Sequence, residues 1–262
     1  MGNGLEKPEY GNWVSKRLII RMLIYMIVFA ALAFAGFWIP GFSGLGVVFV
    51  ILAVFFLIMY LYFLAARYVL SWEGGGIQPK IIDLLLSHIS GEYASILDIG
   101  CGSGALSVKL AKRFPSAVVT GIDFWQGKWG YSAEQCKSNA LLEDVAERTV
   151  FLRATASSLP FEDGAFELVV SNFAFHEVQD TKDKWDVVAE ALRVLKPGGT
   201  FVFQDLFLVR SIYGEQKEIV QKAVSCGAQK ASFINTSHEE FIARLLKLPF
   251  MLGRIGILRG EK

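Results

Sequence analysis

The chain has 262 residues, and its 26 lysines and arginines nearly balance its 25 aspartates and glutamates. That balance argues against a general nucleic-acid binder, which normally carries a strong basic excess. Hydrophobic residues make up 53% of the chain and charged residues 19%, a composition that excludes disorder and is apolar for a soluble domain. The 3 cysteines are odd in number and widely spaced, so we expect neither a disulfide framework nor a cysteine-based metal site.

The apolar residues are concentrated near the N-terminus, where residues 22–66 contain no Asp, Glu, Lys or Arg. Two runs, at 22–39 and 45–66, are each long enough to cross the ~30 Å hydrocarbon layer of a bilayer as a helix. The short segment between the runs is rich in glycine. The pattern predicts a cytosolic N-terminal segment at 1–21, a two-helix transmembrane hairpin at 22–66 and a second domain at 67–262.

Basic residues flank the apolar stretch on both sides, with Lys16, Arg17 and Arg21 before it and Arg67 after it. The positive-inside rule therefore predicts a multi-pass membrane protein whose N-terminus and second domain lie in the cytoplasm. Two other interpretations stay open. The stretch is also compatible with a buried helical hairpin of a soluble protein, or with a cleaved signal peptide that ends near Ala33-Phe34-Ala35.

After the hairpin, short apolar runs alternate with helical patterns. Alternation of this kind predicts an α/β fold with a doubly wound, Rossmann-like, mostly parallel sheet. The strands are expected at 95–99, 117–122, 149–153, 166–171 and 200–203, with helices at 105–114, 134–145 and 185–195 between them.

The C-terminal segment is harder to interpret. Leucine spacing predicts a helix at 239–247, followed by one or two short strands at 249–258 and a trimmed sheet edge. The apolar residues at 245–252 are expected to pack in the core, with contact to a bilayer as the alternative.

A glycine loop, Gly100-Cys101-Gly102-Ser103-Gly104, joins the first predicted strand to a helix. Glycines let a ligand approach the backbone, and the free N–H groups at the helix start face it. Asp123 closes the next strand, where a carboxylate can accept hydrogen bonds from ribose hydroxyls. The loop also fits the G-x-G-x-x-A pattern of dinucleotide sites, so a nicotinamide-dependent oxidoreductase is an alternative.

Several motifs in order resemble those of class I S-adenosylmethionine-dependent methyltransferases, in the branch of quinone and sterol type. The motifs are Leu97-Asp98-Ile99-Gly100-Cys101-Gly102-Ser103-Gly104, Gly121-Ile122-Asp123, Leu159-Pro160-Phe161 and Leu195-Lys196-Pro197-Gly198-Gly199. The resemblance covers residues 77–262 and not the hairpin. It implies S-adenosylmethionine as the cofactor and methyl transfer to a small molecule.

The resemblance also implies roles for the cofactor-binding residues. Asp98 would hold the amino group of the cofactor, and Asp123 the ribose hydroxyls, with Phe124 near the adenine. The family has an acidic residue that meets the adenine amino group, and Thr155 occupies its place here. The full set of expected cofactor contacts is Asp98, Gly100, Cys101, Gly102, Gly104, Asp123, Phe124, Thr155, Ala156 and Asn172.

Candidate catalytic residues follow the fourth predicted strand, at the ligand-facing edge of such sheets. We expect His176 to act as a base or to orient the acceptor, and Asn172 to contact cofactor or acceptor. For both, a purely structural role is the alternative, as it is for Glu177 and Asp205. Methyl transfer needs alignment of the two reactants, and it needs a base only if the acceptor loses a proton.

The sequence therefore predicts a membrane-anchored methyltransferase that acts on a small, lipid-soluble acceptor. Its expected partners are the bilayer and a small-molecule or lipid substrate, with no nucleic acid. A non-catalytic, cofactor-binding membrane scaffold or sensor and a protein methyltransferase are the alternatives, because a fold does not determine the acceptor.

Overall fold

The computed structural model describes residues 7–125 and 129–262, which pack as two units. Residues 12–78 form the first unit. Residues 79–262 form the second unit, which also includes residues 7–11. The chain therefore leaves the second unit after Gly11 and returns to it at Pro79.

The first unit consists of two long helices, α1 (Lys16–Trp38) and α2 (Ser43–Leu70). Ser15 caps α1, because its side chain accepts a hydrogen bond from the Leu18 N–H at 3.1 Å. Both helices extend beyond the charge-free stretch, since charged residues are tolerated in their outer turns. By length and composition both helices are able to cross a membrane, and only a small share of each is buried.

Glycine and aromatic residues hold α1 against α2. A Cβ added to Gly36 would lie 2.9 Å from the Cα of Gly46, so only glycine permits this close approach of the two backbones. Nearby, the ring of Phe29 stacks on those of Phe49 and Phe56, at centroid distances of 6.2 and 5.4 Å. The two helices therefore pack through one face, and the remaining faces stay apolar and exposed.

The second unit contains a 7-stranded sheet with the order β3-β2-β1-β4-β5-β7-β6. Strands β1 to β5 are parallel, and β7 lies antiparallel between β5 and β6. The strands are β1 (Ser95–Ile99), β2 (Val118–Asp123), β3 (Thr149–Arg153), β4 (Phe166–Asn172), β5 (Leu195–Asp205), β6 (Lys230–Asn235) and β7 (Gly256–Glu261). The helices are α3 (Ile77–Ser87), α4 (Ala105–Arg113), α5 (Ala133–Leu142), α6 (Lys184–Arg193), α7 (Arg210–Tyr213) and α8 (Ile219–Ser225).

The strand order reverses between β1 and β4. The chain moves outward from β1 to β2 and β3, then returns to build β4 on the other side. In such sheets the ligand crevice lies outside the carboxyl ends of the strands at this point. The prediction of a doubly wound, Rossmann-like sheet preceded by two apolar helices is confirmed.

The C-terminal expectations were partly wrong. Among the described residues, 239–247 form no α-helix, and only a 3₁₀ turn at Arg244–Leu246 is present. The sheet edge is not trimmed, because β6 and β7 are both full strands. The leucine spacing misled the prediction because Leu246 and Leu252 are buried from a loop, and Pro249 lies between them.

Candidate active site

The glycine loop connects β1 to α4 with a left-handed backbone. Gly100, Gly102 and Gly104 have φ values of +75°, +57° and +82°, which side chains disfavour. A Cβ on Gly100 would lie 2.0 Å from the Cβ of Ala174, in the loop after β4. Glycine is therefore required at position 100 both for conformation and for this contact, which brings the two loops together.

Asp98 lies beneath the glycine loop and is 1% exposed. One carboxylate oxygen accepts a hydrogen bond from Ser107 at 2.6 Å, and the other, Oδ1, has no hydrogen-bond partner among the described residues. Burial raises the pKa of Asp98 to about 7, and the negative charge of Asp123 adds to the increase. An unsatisfied buried carboxylate oxygen favours a ligand that brings a donor or a positive charge.

Asp123, at the end of β2, accepts two backbone hydrogen bonds. The Gly102 N–H donates to it at 3.0 Å, and the Trp125 N–H donates at 2.7 Å. The Trp125 indole in turn donates to the Gly102 carbonyl at 2.9 Å. Each carboxylate oxygen has a second lone pair, so Asp123 is still able to accept hydrogen bonds from a ligand hydroxyl.

The other expected contacts near the glycine loop differ in accessibility. Phe124 is exposed, and the guanidinium of Arg153 lies 5.1 Å from its ring centroid. Cys101 and Ala156 are buried, so their side chains contribute to packing. Trp129 is exposed, while the segment 126–128 before it lies outside the described residues.

Thr155, just after β3, is hydrogen-bonded to a carboxylate. Its hydroxyl donates to Asp180 Oδ2 at 2.6 Å, and the hydroxyl of Ser157 donates to the same oxygen at 2.6 Å. These hydrogen bonds lower the pKa of Asp180, that of Ser157 contributing most. A carboxylate is therefore present beside the position where the sequence has threonine, although it comes from another loop.

His176 is paired with Asp205, which ends β5. Nδ1 of His176 lies 2.6 Å from Asp205 Oδ1, and the backbone N–H of Phe175 donates to Oδ2 at 2.9 Å. Because a carboxylate only accepts, Nδ1 carries the proton and Nε2 of the neutral ring is the basic nitrogen. Burial lowers the pKa of His176, but the charge and hydrogen bond of Asp205 outweigh this effect, and the pKa is raised above 6.5.

Asn172 ends β4, and its side-chain oxygen accepts a hydrogen bond from Gln204 Nε2 at 3.1 Å. Gln204 is fully buried, and its own oxygen has no partner among the described residues. Asn172 therefore lies at the same sheet edge as His176, but its oxygen is already used in a link between β4 and β5.

A segment far away in sequence packs beside the glycine loop. Ser103 Oγ donates to the Tyr10 carbonyl at 3.0 Å. The side chain of Asn139, on α5, donates to the Glu9 carbonyl and accepts from the Glu9 N–H, both at 2.8 Å. We call residues 9–11 the strap. The sequence pattern did not indicate the strap, because its residues match no motif and precede the two apolar helices.

The carboxyl edge of the sheet thus brings together most of the expected residues. Asp98, the glycine loop and Asp123 lie where β1 and β2 end, and the His176–Asp205 pair lies where β4 and β5 end, on the other side of the point at which the strand order reverses. Sequence reasoning did not identify Asp180 or the strap, which only the fold brings there. No group of three or more His, Cys, Asp or Glu in residues 7–125 and 129–262 is placed to hold a metal ion.

These features define a class of protein: an α/β domain whose glycine loop and acidic strand ends accept an adenosine-containing cofactor. The residues fit such a cofactor, because the loop's glycines place no side chain between a ligand and the backbone, and Asp98 keeps one oxygen unpaired within the described part of the chain. Residues 97–203 match the family described as methyltransferase domain. The match agrees with the prediction of an S-adenosylmethionine-dependent methyltransferase.

Two curated relatives have similar sequences. A malonyl-[acyl-carrier protein] O-methyltransferase of Geobacter sulfurreducens is 40% identical over 130 residues, which are 48% of this chain and 45% of that protein. A demethylmenaquinone methyltransferase of Thermus thermophilus is 36% identical over 107 residues, which are 41% of this chain and 44% of that protein. The chain thus spans less than half the length of both relatives.

A solved structure shows the same fold. It is a geranyl diphosphate C-methyltransferase of Streptomyces coelicolor in complex with Mg²⁺, geranyl diphosphate and S-adenosyl-L-homocysteine. It matches with a TM-score of 0.53 at 15% identity, over 70% of this chain and 77% of that one.

Proposed function

We propose that this protein is a membrane-anchored methyltransferase that transfers a methyl group from S-adenosylmethionine to a hydroxyl of a small, lipid-soluble acceptor. The observation that carries the chemistry is the 2.6 Å contact between His176 and Asp205 at the carboxyl edge of the sheet. Two relatives' names support parts of this proposal: demethylmenaquinone methyltransferase agrees with a small acceptor, and malonyl-[acyl-carrier protein] O-methyltransferase agrees with transfer to oxygen.

The cofactor would be held by the residues around the glycine loop. Asp98 would meet the cationic amino group, and Asp123 the ribose hydroxyls. Asp180 would lie at the adenine end, because Thr155 and Ser157, which hold its carboxylate, follow β3, the strand next to the one that Asp123 ends. When bound, S-adenosylmethionine supplies a methyl carbon that its sulfonium already activates.

His176 would move the proton of the acceptor. The hydroxyl oxygen would bond to the methyl carbon as the methyl–sulfur bond breaks, with S-adenosylhomocysteine as the leaving group, and the hydroxyl proton would pass to Nε2 of His176. Asp205 holds the ring through Nδ1 and stabilises the positive charge that develops on it. The buried position of Asp205 ensures that its charge is not screened by water.

The two apolar helices support the membrane part of the proposal. An exposed apolar surface of this extent is stable in lipid and unfavourable in water. Lys16, Arg17 and Arg21 at one end and Arg67 at the other favour a topology with both ends in the cytoplasm. A tether of this kind raises the local concentration of a membrane-soluble acceptor without any new contact.

The test uses full-length protein in host membranes supplied with S-adenosylmethionine labelled in the methyl group. The products are separated into organic solvent, protein and water. We expect label in the organic phase. Label only on protein, or only in water, would contradict the lipid-soluble acceptor, and label in no phase would favour the scaffold or sensor.

Histidine variants test the proposed base in the same assay. His176→Gln should lower the rate about 10²- to 10⁴-fold, the usual contribution of a general base. His88→Gln is the matched control, because His88 lies in the segment before β1 and should leave the rate unchanged. The wild-type rate should rise with pH around a midpoint above 6.5, as His176 loses its proton. A full rate in His176→Gln would rule out this role.

A further inference from the structure

The segment between β6 and β7, residues 236–255, is an ordered loop that we call the C-terminal loop. Leu246 and Leu252 are buried and anchor it in the core. The Leu252 N–H donates to the Leu246 carbonyl at 2.8 Å, and the Gly253 N–H donates to the Leu248 carbonyl at 3.0 Å. These bonds close a tight turn around residues 248–250, so the loop presents a defined tip.

The tip of the C-terminal loop is apolar and faces outward. Leu248 is 37% exposed and Phe250 is 61% exposed, with the exposed Pro249 between them. A single exposed apolar side chain is ordinary, but three consecutive ones at the apex of an ordered turn form a small protruding apolar surface. Such a surface is suited to insertion into another apolar phase.

Positively charged residues lie on both sides of the tip in the sequence. Arg244, Lys247 and Arg254 flank it, and the sequence from 244 to 254 contains no acidic residue. None of the three forms an ion pair with another residue of the described ranges, and Lys247 donates only to the His238 carbonyl at 3.2 Å. An apolar tip flanked by cations complements the headgroups and interior of an anionic lipid surface.

The C-terminal loop emerges beside the proposed catalytic pair. Gly256, at the start of β7, pairs with both Asp205 and Asn235, so the loop begins and ends at the carboxyl edge of the sheet. Just beyond Asp205, the Leu208 N–H donates to the Arg254 carbonyl at 3.1 Å. A surface that receives the tip would therefore lie next to the edge that carries His176.

We infer that the C-terminal loop docks on an anionic bilayer, with Leu248 and Phe250 inserted at headgroup depth. The contact holds the acceptor edge of the domain at the membrane surface, so that a lipid-soluble acceptor reaches His176 without crossing water. The inference rests on the proposed membrane function for its biological setting, but the loop contact is physically separate from the helices α1 and α2.

The test compares three fluorescent reporters in the full-length chain, each on a single introduced cysteine in a Cys226→Ser background. Phe250→Cys reports on the tip and Phe55→Cys on α2. Leu141→Cys, on α5, is the matched control, because Leu141 is 68% exposed. The protein is reconstituted in vesicles of phosphatidylcholine with phosphatidylglycerol that carry nitroxide quenchers both near the headgroups and along the acyl chains.

We expect quenching at position 250 to be several-fold stronger than at position 141. The difference should shrink in vesicles of phosphatidylcholine alone and in the Arg244→Gln, Arg254→Gln double variant. Quenching at 55 with none at 250 would overturn the docking inference and leave the anchor intact. Quenching at 250 with none at 55 would support docking and contradict the anchor. A reporter at 250 that is shielded from water but not quenched would indicate a second copy of the chain and overturn the inference.

Discussion

At the scale of single residues, the protonation of Asp98 should control cofactor affinity. Burial raises its pKa to about 7, whereas an unfolded aspartate titrates near 3.8. In the absence of ligand, protonated Asp98 stabilises the fold below pH 3.8, and this contribution is lost as the pH rises through about 7. A cationic amino group at the unpaired oxygen would favour the ionised form and reverse this preference.

We therefore expect the affinity for S-adenosylhomocysteine to rise with pH by up to about tenfold per unit below pH ~7, and to level off above it. Titration calorimetry from mildly acidic to neutral pH, in two buffers of different ionisation enthalpy, would measure both affinity and the released proton. Asp98→Asn should bind more weakly and lose the pH dependence. If the variant keeps the wild-type slope, another group is responsible.

The carboxylate of Asp180 should recognise the adenine amino group in place of the acidic residue that Thr155 replaces. Two hydroxyls hold its Oδ2 at 2.6 Å each, which fixes the direction of the carboxylate. Wild type should prefer S-adenosylhomocysteine to its hypoxanthine analogue, which has no amino group. Asp180→Asn should reduce that preference about tenfold, as expected for a hydrogen bond to a charged group.

The control for this experiment is Asp163→Asn, because Asp163 is another exposed aspartate and pairs with Arg193 at 2.7 Å. That variant should keep the full wild-type preference for S-adenosylhomocysteine over its hypoxanthine analogue. An equal loss in both variants would mean that stability, rather than adenine recognition, is affected.

At the scale of helices and strands, the sequence predicted an element correctly where neighbouring residues alone determine it. Strands β1, β3 and β4 follow directly from short apolar runs bounded by turn residues, and the glycine loop follows from its spacing. Strand β6 was missed because it lies at the sheet edge, where Lys230 and Ser232 are exposed and the apolar run is interrupted. The strand that pairs with it, β7, was predicted too early in the sequence, because the loop before it has helix-like leucine spacing.

The contacts that complete the site are long-range, and no local pattern encodes them. His176 and Asp205 are 29 positions apart, and Thr155 and Asp180 are 25 positions apart. His176 and Asp205 meet because the neighbouring parallel strands β4 and β5 end at the same edge. Thr155 and Asp180 follow β3 and β4, which β2 and β1 separate in the sheet, and they meet through the loops beyond that edge. The sequence therefore identified His176 as a candidate but could not select its partner, and it left the adenine contact at Thr155 without a carboxylate.

At the scale of the whole molecule, the order of the chain connects the two apolar helices to the domain that carries the glycine loop. The strap precedes the apolar helices, yet its Glu9 and Tyr10 carbonyls bond to Asn139 and Ser103 in the cofactor domain. Chain segments that precede and follow the two helices in the sequence thus both belong to this domain. Removing everything before the domain would remove two different functions at once, so the role of the helices requires a variant that keeps the strap.

Two deletions separate these functions. The first replaces residues 12–76 with a flexible glycine-serine linker and keeps the strap, and the second removes residues 1–76. The first variant should bind S-adenosylhomocysteine as the full chain does, while its apparent KM for a membrane-borne acceptor rises about a hundredfold through lost effective concentration. The second should also bind the cofactor product more weakly and unfold several degrees lower, because it loses hydrogen bonds worth ~1 kcal/mol each. Equal cofactor affinity in the two variants would contradict a role for the strap, and an unchanged KM in the first would contradict tethering as the purpose of the helices.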